Sequence, residues 1–243
     1  MAPLLFCNIA WMNEYQGHQK LDGDVDEPVN GGSENGDHEC CNFLSDEDGN
    51  VYGHVETWKG YIDEDHRGKD TKIQINNLGA KGKEYVDGVD VIWSATPSEH
   101  NKRVIGWYLN ATVYRERQFH KNDKFPTSQH KKDGIDSYRI VAKQENVHLI
   151  PVNERTENLI IDPHKRRIGF PGMNSAFYPI NHRDNEELVN FIERLYRLIE
   201  DNTNERVQLE SRKKVPRQTD PELRRKIEVA AEERVIEYYE NKL

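Results

Sequence analysis

The chain alternates short apolar runs with long polar ones, and the period inside each run predicts an element. Residues 4–11, LLFCNIAW, are an apolar run of the length and composition of a buried strand. Residues 13–40 are polar and rich in Gly, Asp and Glu, which predicts a long loop. GNVYGHVETW at 49–58 opens on a turn signal and continues as a strand. Residues 60–72 read as a second charged loop, and IQINNLG at 73–79 as a short strand and turn. Then Val89, Val91, Trp93 and Ala95 alternate with Asp90, Ile92, Ser94 and Thr96, the two-residue period of a strand. PSEHNK predicts a turn, Arg103 to Tyr108 a second strand, and Ala111 to Arg115 a third strand or a continuation, with a bend at Asn110. Gly106 falls inside a strand, where glycine marks a bulge or a close approach to the backbone. A basic polar loop at 117–136 precedes further strands at SYRIVAK (137–143) and NVHLIPV (146–152), and residues 163–175 read as a loop rich in Pro, Gly and Arg.

The period changes near 184. Asp184 and Glu187 match a capping box. Leu188, Phe191, Ile192, Leu195, Leu198 and Ile199 then recur at helical spacing. Residues 201–219 read as a polar linker. Thr219 or Asp220, followed by Pro221, opens a last helix whose apolar face is Leu223, Ile227, Ala230, Ala231, Val235, Tyr238 and Tyr239. That helix reaches Leu243 with no C-cap signal, which predicts the N-terminal part of a longer protein, cut at or just inside a second domain.

Composition narrows the class. Of the 243 residues, 35% are hydrophobic and 32% charged, and the net charge is −9, a composition expected of a soluble cytoplasmic chain with aromatics enough for a core. The opening MAPLLFCNIAWM has no basic n-region and too short an apolar run for a membrane span, so neither a signal peptide nor a membrane contact is expected. Three cysteines, Cys7, Cys40 and Cys41, do not suggest a disulfide framework. His38, Cys40 and Cys41 resemble half of a metal loop, but zinc sites usually need two spaced ligand pairs and the sequence holds no second pair. They read as ordinary loop residues, and no metal or cofactor is expected. Residues 1–70 hold 16 acidic against 4 basic residues, whereas 101–140 hold 9 basic against 4 acidic. A basic region on an acidic chain suggests an anionic partner for that region, or else a mixed solvated surface.

No catalytic constellation stands out. GxSxG, Walker-type and HExxH patterns are absent. Asp162-Pro163-His164 and His182-Arg183-Asp184 each place a His near a carboxylate, as turns and helix caps do. Glu240-Asn241-Lys242 matches the ExK of restriction-type nucleases, but residues two apart share a face on a strand and not on a helix. Any nuclease activity is expected beyond Leu243.

The segments NIAWMNEYQG (8–17), CNFLSDEDGNVYGHVE (41–56) and VIWSATP…RVIGWYLNATVYRE (91–116) resemble a module at the start of some prokaryotic restriction-type proteins. That module is similar to the PUA superfamily, which includes EVE, ASCH and YTH domains. The resemblance covers about residues 4–180, and GWYLNATVYR is its most distinctive motif. The last segment, PELRRKIEVAAEERVIEYYENKL, resembles the opening helix of a domain related to restriction-endonuclease folds. The resemblance implies an α+β chain: a PUA/EVE-like bent β-barrel over 1–182, a helix and polar linker over 183–219, and the first helix of an effector domain over 220–243.

It also implies a function: recognition of a modified base in duplex DNA, modified cytosine first, by flipping it into an aromatic pocket, as in phage-defence proteins. A base inside a duplex is inspected by taking it out of the stack. The lost stacking is then replaced by aromatic faces, worth roughly 1–3 kcal/mol per base. Trp93, Trp107, Tyr108 and Tyr114 are the candidate faces; Ser94, Thr96 and Asn110 the candidate readers; Arg103, Arg115 and Arg117, with Lys121, Lys124, Lys131 and Lys132, the candidate phosphate contacts. By position after the first strand, Trp11, Met12, Asn13 and Tyr15 join the pocket, although this sequence lacks the WxxKSEP-like pattern of EVE domains. Strand aromatics also serve as core and cross-strand pairs. Trp93 alternates with Val89 and Val91, and Trp107 and Tyr108 must point to opposite faces of a regular strand. RNA binding, or a protein-interaction or nucleotide-sensing role in a defence system, remain the alternatives.

Overall fold

The alternation at 89–96 builds part of one strand of the longest hairpin among the described residues. In the computed structural model, which describes residues 2–18, 20–21, 24–25, 38–59, 69–97, 102–121, 124–156, 159–161, 169–172, 174–213 and 225, the strands in chain order are β1 (Leu4–Ile9), β2 (Lys20–Leu21), β3 (Asp24–Val25), β4 (Asn50–Gly53), β5 (Trp58–Lys59), β6 (Lys69–Asp70), β7 (Tyr85–Ala95), β8 (Arg103–Phe119), β9 (Ser137–Lys143), β10 (Val147–Leu149) and β11 (Ala176–Phe177). The described helices are α1 (Ser128–Lys132) and α2 (Glu186–Lys213), with short 3-10 turns between strands. Seven strands form one open, mostly antiparallel sheet in the order β11-β1-β7-β8-β9-β4, with β10 also on β8. The exception is β1, which runs parallel to β7. The fold class is therefore α+β. β2 with β3 and β5 with β6 form two small separate ladders.

β8 is one strand of 17 residues serving two partners. Its first half, Gly106 to Tyr108, pairs with β10. Its second half, Thr112 to Phe119, pairs with β9. Between them Asn110 takes a positive φ of 52°, opposite a bulged stretch of β7 where Gly88 has φ 73°. Two left-handed residues facing each other across a register shift bend the hairpin, as bulges do. The expected bend at Asn110 is present, and Ala111–Arg115 is the continuation rather than a third strand.

Register explains the aromatic spacing. Phe177, Phe6, Ile92, Trp107 and His148 stand side by side across β11, β1, β7, β8 and β10. The next row is Ala176, Cys7, Trp93, Gly106 and Leu149. Gly106 faces a bulky indole, and a Cβ there would lie 2.4 Å from the His148 carbonyl oxygen and 2.9 Å from the Phe43 ring. The close approach expected at Gly106 is thus to the protein's own backbone and core.

Three local expectations are corrected. Residues 73–79 hold a 3-10 turn over Ile75–Leu78, closed by Gly79 at φ 85°, not a strand. Ile75 and Leu78 are buried by that turn, a three-residue spacing that a strand cannot bring to one face. The helix near 184 is capped by Asn185, whose Oδ1 accepts the Leu188 N–H at 3.1 Å, rather than by Asp184. And the polar stretch read as a linker from 201 is helical to Lys213. From Glu205 on it carries Glu205, Arg206, Gln208, Glu210, Arg212 and Lys213, residue types that lose little freedom in a helix.

The chain divides into two compact units, 1–191 and 192–243, and the division falls within α2. In the first, Phe191 packs on Phe6 and Phe170. In the second, Ile192, Leu195 and Ile199 are buried. The helix expected over 220–243 lies outside the described residues except for Arg225, which is helical. Among the described residues no helix is long and apolar enough to cross a membrane.

Candidate functional site

The predicted base-reading residues separate into an interior group and a peripheral one. Trp93 and Tyr108 are both 0% exposed. They meet edge to face with ring centroids 5.1 Å apart, and Phe43 closes the group at 5.5 Å from Tyr108 and 6.4 Å from Trp93. Tyr15, buried and held at φ 52°, packs on Phe43 at 5.5 Å. Gly53 of β4 closes the remaining side, since a Cβ there would lie 2.7 Å from the Trp93 ring. Trp107 lies outside this group, as opposite strand faces require, and stacks on His148 at 4.5 Å. Phe43 and Gly53 come from distant segments that sequence spacing does not mark, whereas Trp93, Tyr108 and Tyr15 are expected pocket residues that the fold brings together.

The interior group is apolar in shape but not in chemistry. Trp93 Nε1 and the Tyr108 hydroxyl are buried and have no hydrogen-bond partner among the described residues. A buried donor without a partner costs about 1–3 kcal/mol. Burial drives the Tyr108 phenol well above its ordinary range, so it stays a neutral O–H donor. Cys7 lies next to Trp93 in the register row, and burial likewise pushes its thiol up.

Loop 10–15 is fastened over this region by a residue that the sequence pattern does not single out. Arg155 is 1% exposed. It donates to the carbonyl oxygens of Ile150, Met12 and Asn13 at 2.8, 2.7 and 2.7 Å, and its guanidinium stacks over the Trp11 ring at 4.9 Å. The Tyr15 hydroxyl donates to the Ala10 carbonyl at 2.5 Å, and Met12, itself buried, donates its N–H to that hydroxyl. Ser94 is buried and donates to the Cys7 carbonyl at 3.2 Å. Thr96 is half-buried, and Asn110 is exposed with its N–H on Asp90 Oδ1.

The cationic candidates also divide. Arg103 donates to the Arg155 carbonyl. Arg115 is bound to the Lys83 carbonyl and Asn76 Oδ1. Arg117 is bound to Glu56 and Ser137. These three are fastened within the protein: strand arginines so close to backbone carbonyls find partners at home. Lys121, Lys124, Lys131 and Lys132 are exposed on the segment around α1.

Tyr114 belongs elsewhere. It meets Tyr85 of β7 at 5.8 Å and Tyr138 of β9 at 5.9 Å; Tyr138 meets Tyr52 of β4 and His120 at 5.0 and 4.9 Å. These rings form a half-exposed string, and Tyr85 is 48% exposed. Burial and then Asp46, which accepts from its hydroxyl, push the Tyr52 phenol up to about 12.

Among the described residues, two clusters of potential metal ligands flank the turn 38–43. One joins His38, His54 and Glu56, the other Cys40, Cys41 and Asp133. The residues read as ordinary loop positions therefore all take part in clusters, through partners that only the fold supplies. In the cysteine cluster Asp133 Oδ2 accepts from Gln129 Nε2 at 2.7 Å and from the His18 N–H at 3.1 Å, with both thiols 3.8–3.9 Å away. The hydrogen bond with the Cys41 thiol and burial, and after them the negative charge of Asp133, hold the Cys40 thiol protonated.

No protein-family model matches the chain, and neither the curated proteins nor the solved structures hold a match to it.

Proposed function

We propose that the chain is a nucleic-acid specificity module of the PUA/EVE type, which reads a modified base, modified cytosine first, by taking it out of duplex DNA into the space around Trp93, Tyr108 and Phe43. The observation that carries this reading is the pair of partnerless buried donors, Trp93 Nε1–H and Tyr108 O–H, inside an aromatic group. A core built only for stability gains nothing from them. A site that receives a flipped base uses flat faces to replace stacking and fixed donors to meet its acceptors. Phe43 and Tyr15 cover the group in this state, so admission of a base needs the turn 38–43 and loop 10–15 to move outward. The exposed Lys121, Lys124, Lys131 and Lys132 supply the cations for flanking phosphates.

The half-exposed tyrosine string on β7, β8, β9 and β4 favours a second reading, in which unpaired RNA or single-stranded DNA stacks its bases there. One titration at fixed salt separates the two. Matched duplexes carry cytosine, 5-methylcytosine, 5-hydroxymethylcytosine, glucosylated hydroxymethylcytosine or 6-methyladenine at one position, beside an RNA strand of the same sequence. Tight binding to one modified duplex, lost in Trp93→Phe and Tyr108→Phe, supports the base reader. Preference for single strands, lost in Tyr114→Ala and Tyr138→Ala, supports the second reading. Equal weak binding to all of them discards both.

A further inference from the structure

We infer that His38, His54 and Glu56 form a binding site for a divalent transition-metal cation of the zinc class, which fastens the turn 38–43 to the end of β4. One ring nitrogen of each histidine and one carboxylate oxygen lie within 4.8 Å of one another. The three come from two segments: His38 opens the turn, and His54 and Glu56 follow β4 directly.

The hydrogen bonding around them is incomplete in a way that a cation completes. His54 is buried, and both of its ring nitrogens face acceptors: Nδ1 is 3.4 Å from the Ser137 carbonyl oxygen, and Nε2 is 2.9 Å from Glu56 Oε1. A neutral imidazole carries one N–H, so one of these contacts sets a lone pair against a lone pair. With the proton on Nδ1, donated to the carbonyl, Nε2 presents its lone pair beside a carboxylate. That is the arrangement of a metal-bound histidine, whose second nitrogen donates to a backbone carbonyl and fixes the tautomer. The third residue has the matching defect: His38 Nδ1 is buried with no hydrogen-bond partner among the described residues, and its ring stands 5.0 Å from that of His54. Two imidazoles and one carboxylate are a donor set suited to Zn²⁺, and to Co²⁺ as its probe.

The surroundings hold these ligands in place. Asn42 clamps the His54 backbone from both sides, its Nδ2 donating to the His54 carbonyl and its Oδ1 accepting the His54 N–H, each at 2.8 Å. Arg117 donates to Glu56 Oε2 at 3.3 Å, which leaves Oε1 for the cation. Bond lengths of about 2.0–2.2 Å separate two ligand atoms on one metal by about 3–3.5 Å. His54 Nε2 and Glu56 Oε1, 2.9 Å apart, already stand close to that spacing, and rotation of the half-buried His38 ring closes the third side. The same turn carries Phe43, so a cation here would pin one wall of the aromatic group.

The test uses the whole 243-residue chain, stripped with a chelator and titrated with Zn²⁺ and with Co²⁺ by calorimetry and absorbance. One equivalent is expected to bind and to raise the melting temperature. His38→Gln and Glu56→Gln should each weaken binding about tenfold or more, and Zn²⁺ should no longer raise their melting temperatures. The double variant Cys40→Ser, Cys41→Ser should bind as the unmodified chain does, and the Co²⁺ spectrum should lack a sulfur-to-cobalt charge-transfer band. Failure of the stripped chain to bind either ion would overturn the proposal and leave His54–Glu56 as a hydrogen-bonded pair. Full affinity in both His38→Gln and Glu56→Gln would overturn it too. So would binding that disappears only in the cysteine variant with a sulfur-to-cobalt band, which would move the metal to Cys40, Cys41 and Asp133.

Discussion

Two aromatic groups occupy the same hairpin, and they solve opposite problems. The interior one, Trp93, Tyr108, Phe43 and Tyr15, is closed from solvent yet leaves an indole N–H and a phenol O–H without partners. The outer one, Tyr85, Tyr114, Tyr138, Tyr52 and His120, is half-exposed, so water can reach its phenols, and Tyr52 donates to Asp46 besides; of its polar atoms His120 Nε2 is buried without a hydrogen-bond partner among the described residues. Polar atoms at a surface cost little whatever surrounds them; the same atoms inside cost free energy until something meets them. The interior group is therefore the one whose composition calls for a reason beyond packing, although the outer group is the one a passing base would touch first.

The largest effect is expected where the interior group is held shut. Arg155 satisfies three carbonyls with one guanidinium and stacks on Trp11. Arg155→Met keeps the bulk and removes all three bonds, and should cost about 3 kcal/mol in a urea unfolding experiment. A loss below about 1 kcal/mol would show that loop 10–15 is held by other contacts and that the interior group is less firmly closed than described. Next comes Gly106→Ala. Its new methyl meets a backbone oxygen at 2.4 Å, which cannot swing aside as a side chain does. A cost of about 2 kcal/mol is expected, whereas Gly49→Ala, whose surroundings are open, should show only the strain of its φ of 71°. Equal effects at the two sites would mean that backbone conformation, and not the tight seam between β8, β10 and Phe43, makes glycine necessary at 106.

This contrast marks what the sequence made legible. Alternation at 89–96 located the hairpin, the glycine inside an apolar run marked the close approach, and Asn110 marked the bend, because each is a local preference visible over a few residues. Partners brought together by the fold were not legible. Phe43 and Gly53 complete the Trp93 group from segments dozens of residues away, and Asp133 reaches Cys40 and Cys41 across 92 or 93 positions. Charge alone does not reveal that Asn76, Glu56 and nearby carbonyls stand beside Arg115 and Arg117, the candidate phosphate contacts. The 73–79 segment misled for another reason: two isoleucines two apart satisfy a strand pattern, yet Ile75 and Leu78 satisfy a turn of three residues equally well.

Protonation tests the outer side of the comparison. His130 packs near His120 at one end of the tyrosine string, with its Nδ1 2.9 Å from the Thr127 hydroxyl. Burial, and then the neighbouring His120, press its pKa from the ordinary value near 6.5 down to about 4, against the pull of Asp133 and Asp46. The unfolded chain thus takes up this proton near pH 6.5 and the folded chain only near 4. Stability contributed here is complete above pH 6.5, falls as pH drops from 6.5 toward 4, and changes no further below that. Thermal melting between pH 7.5 and 4.5 should show the decline, and His130→Gln should flatten it. An unchanged slope in that variant would assign the acid sensitivity to other groups.

The smallest expected change in stability is also the one that bears most directly on function, because its sign separates two meanings of a buried phenol. Tyr108→Phe removes one oxygen from a site where it has no partner. If the hydroxyl exists only because tyrosine fills the space, its removal relieves a desolvation cost, and the protein gains about 1 kcal/mol with no loss of any activity. If the hydroxyl is kept for a ligand, the same gain in stability comes with loss of discrimination between modified and unmodified duplexes. Tyr114→Phe on the outer face supplies the control, since a half-exposed hydroxyl already reaches water and its removal should leave stability nearly unchanged. A loss of stability in Tyr108→Phe would mean that the hydroxyl is bound by a structural water or an internal acceptor. The interior group would then be an ordinary core, and the search for the ligand would turn to the tyrosines outside.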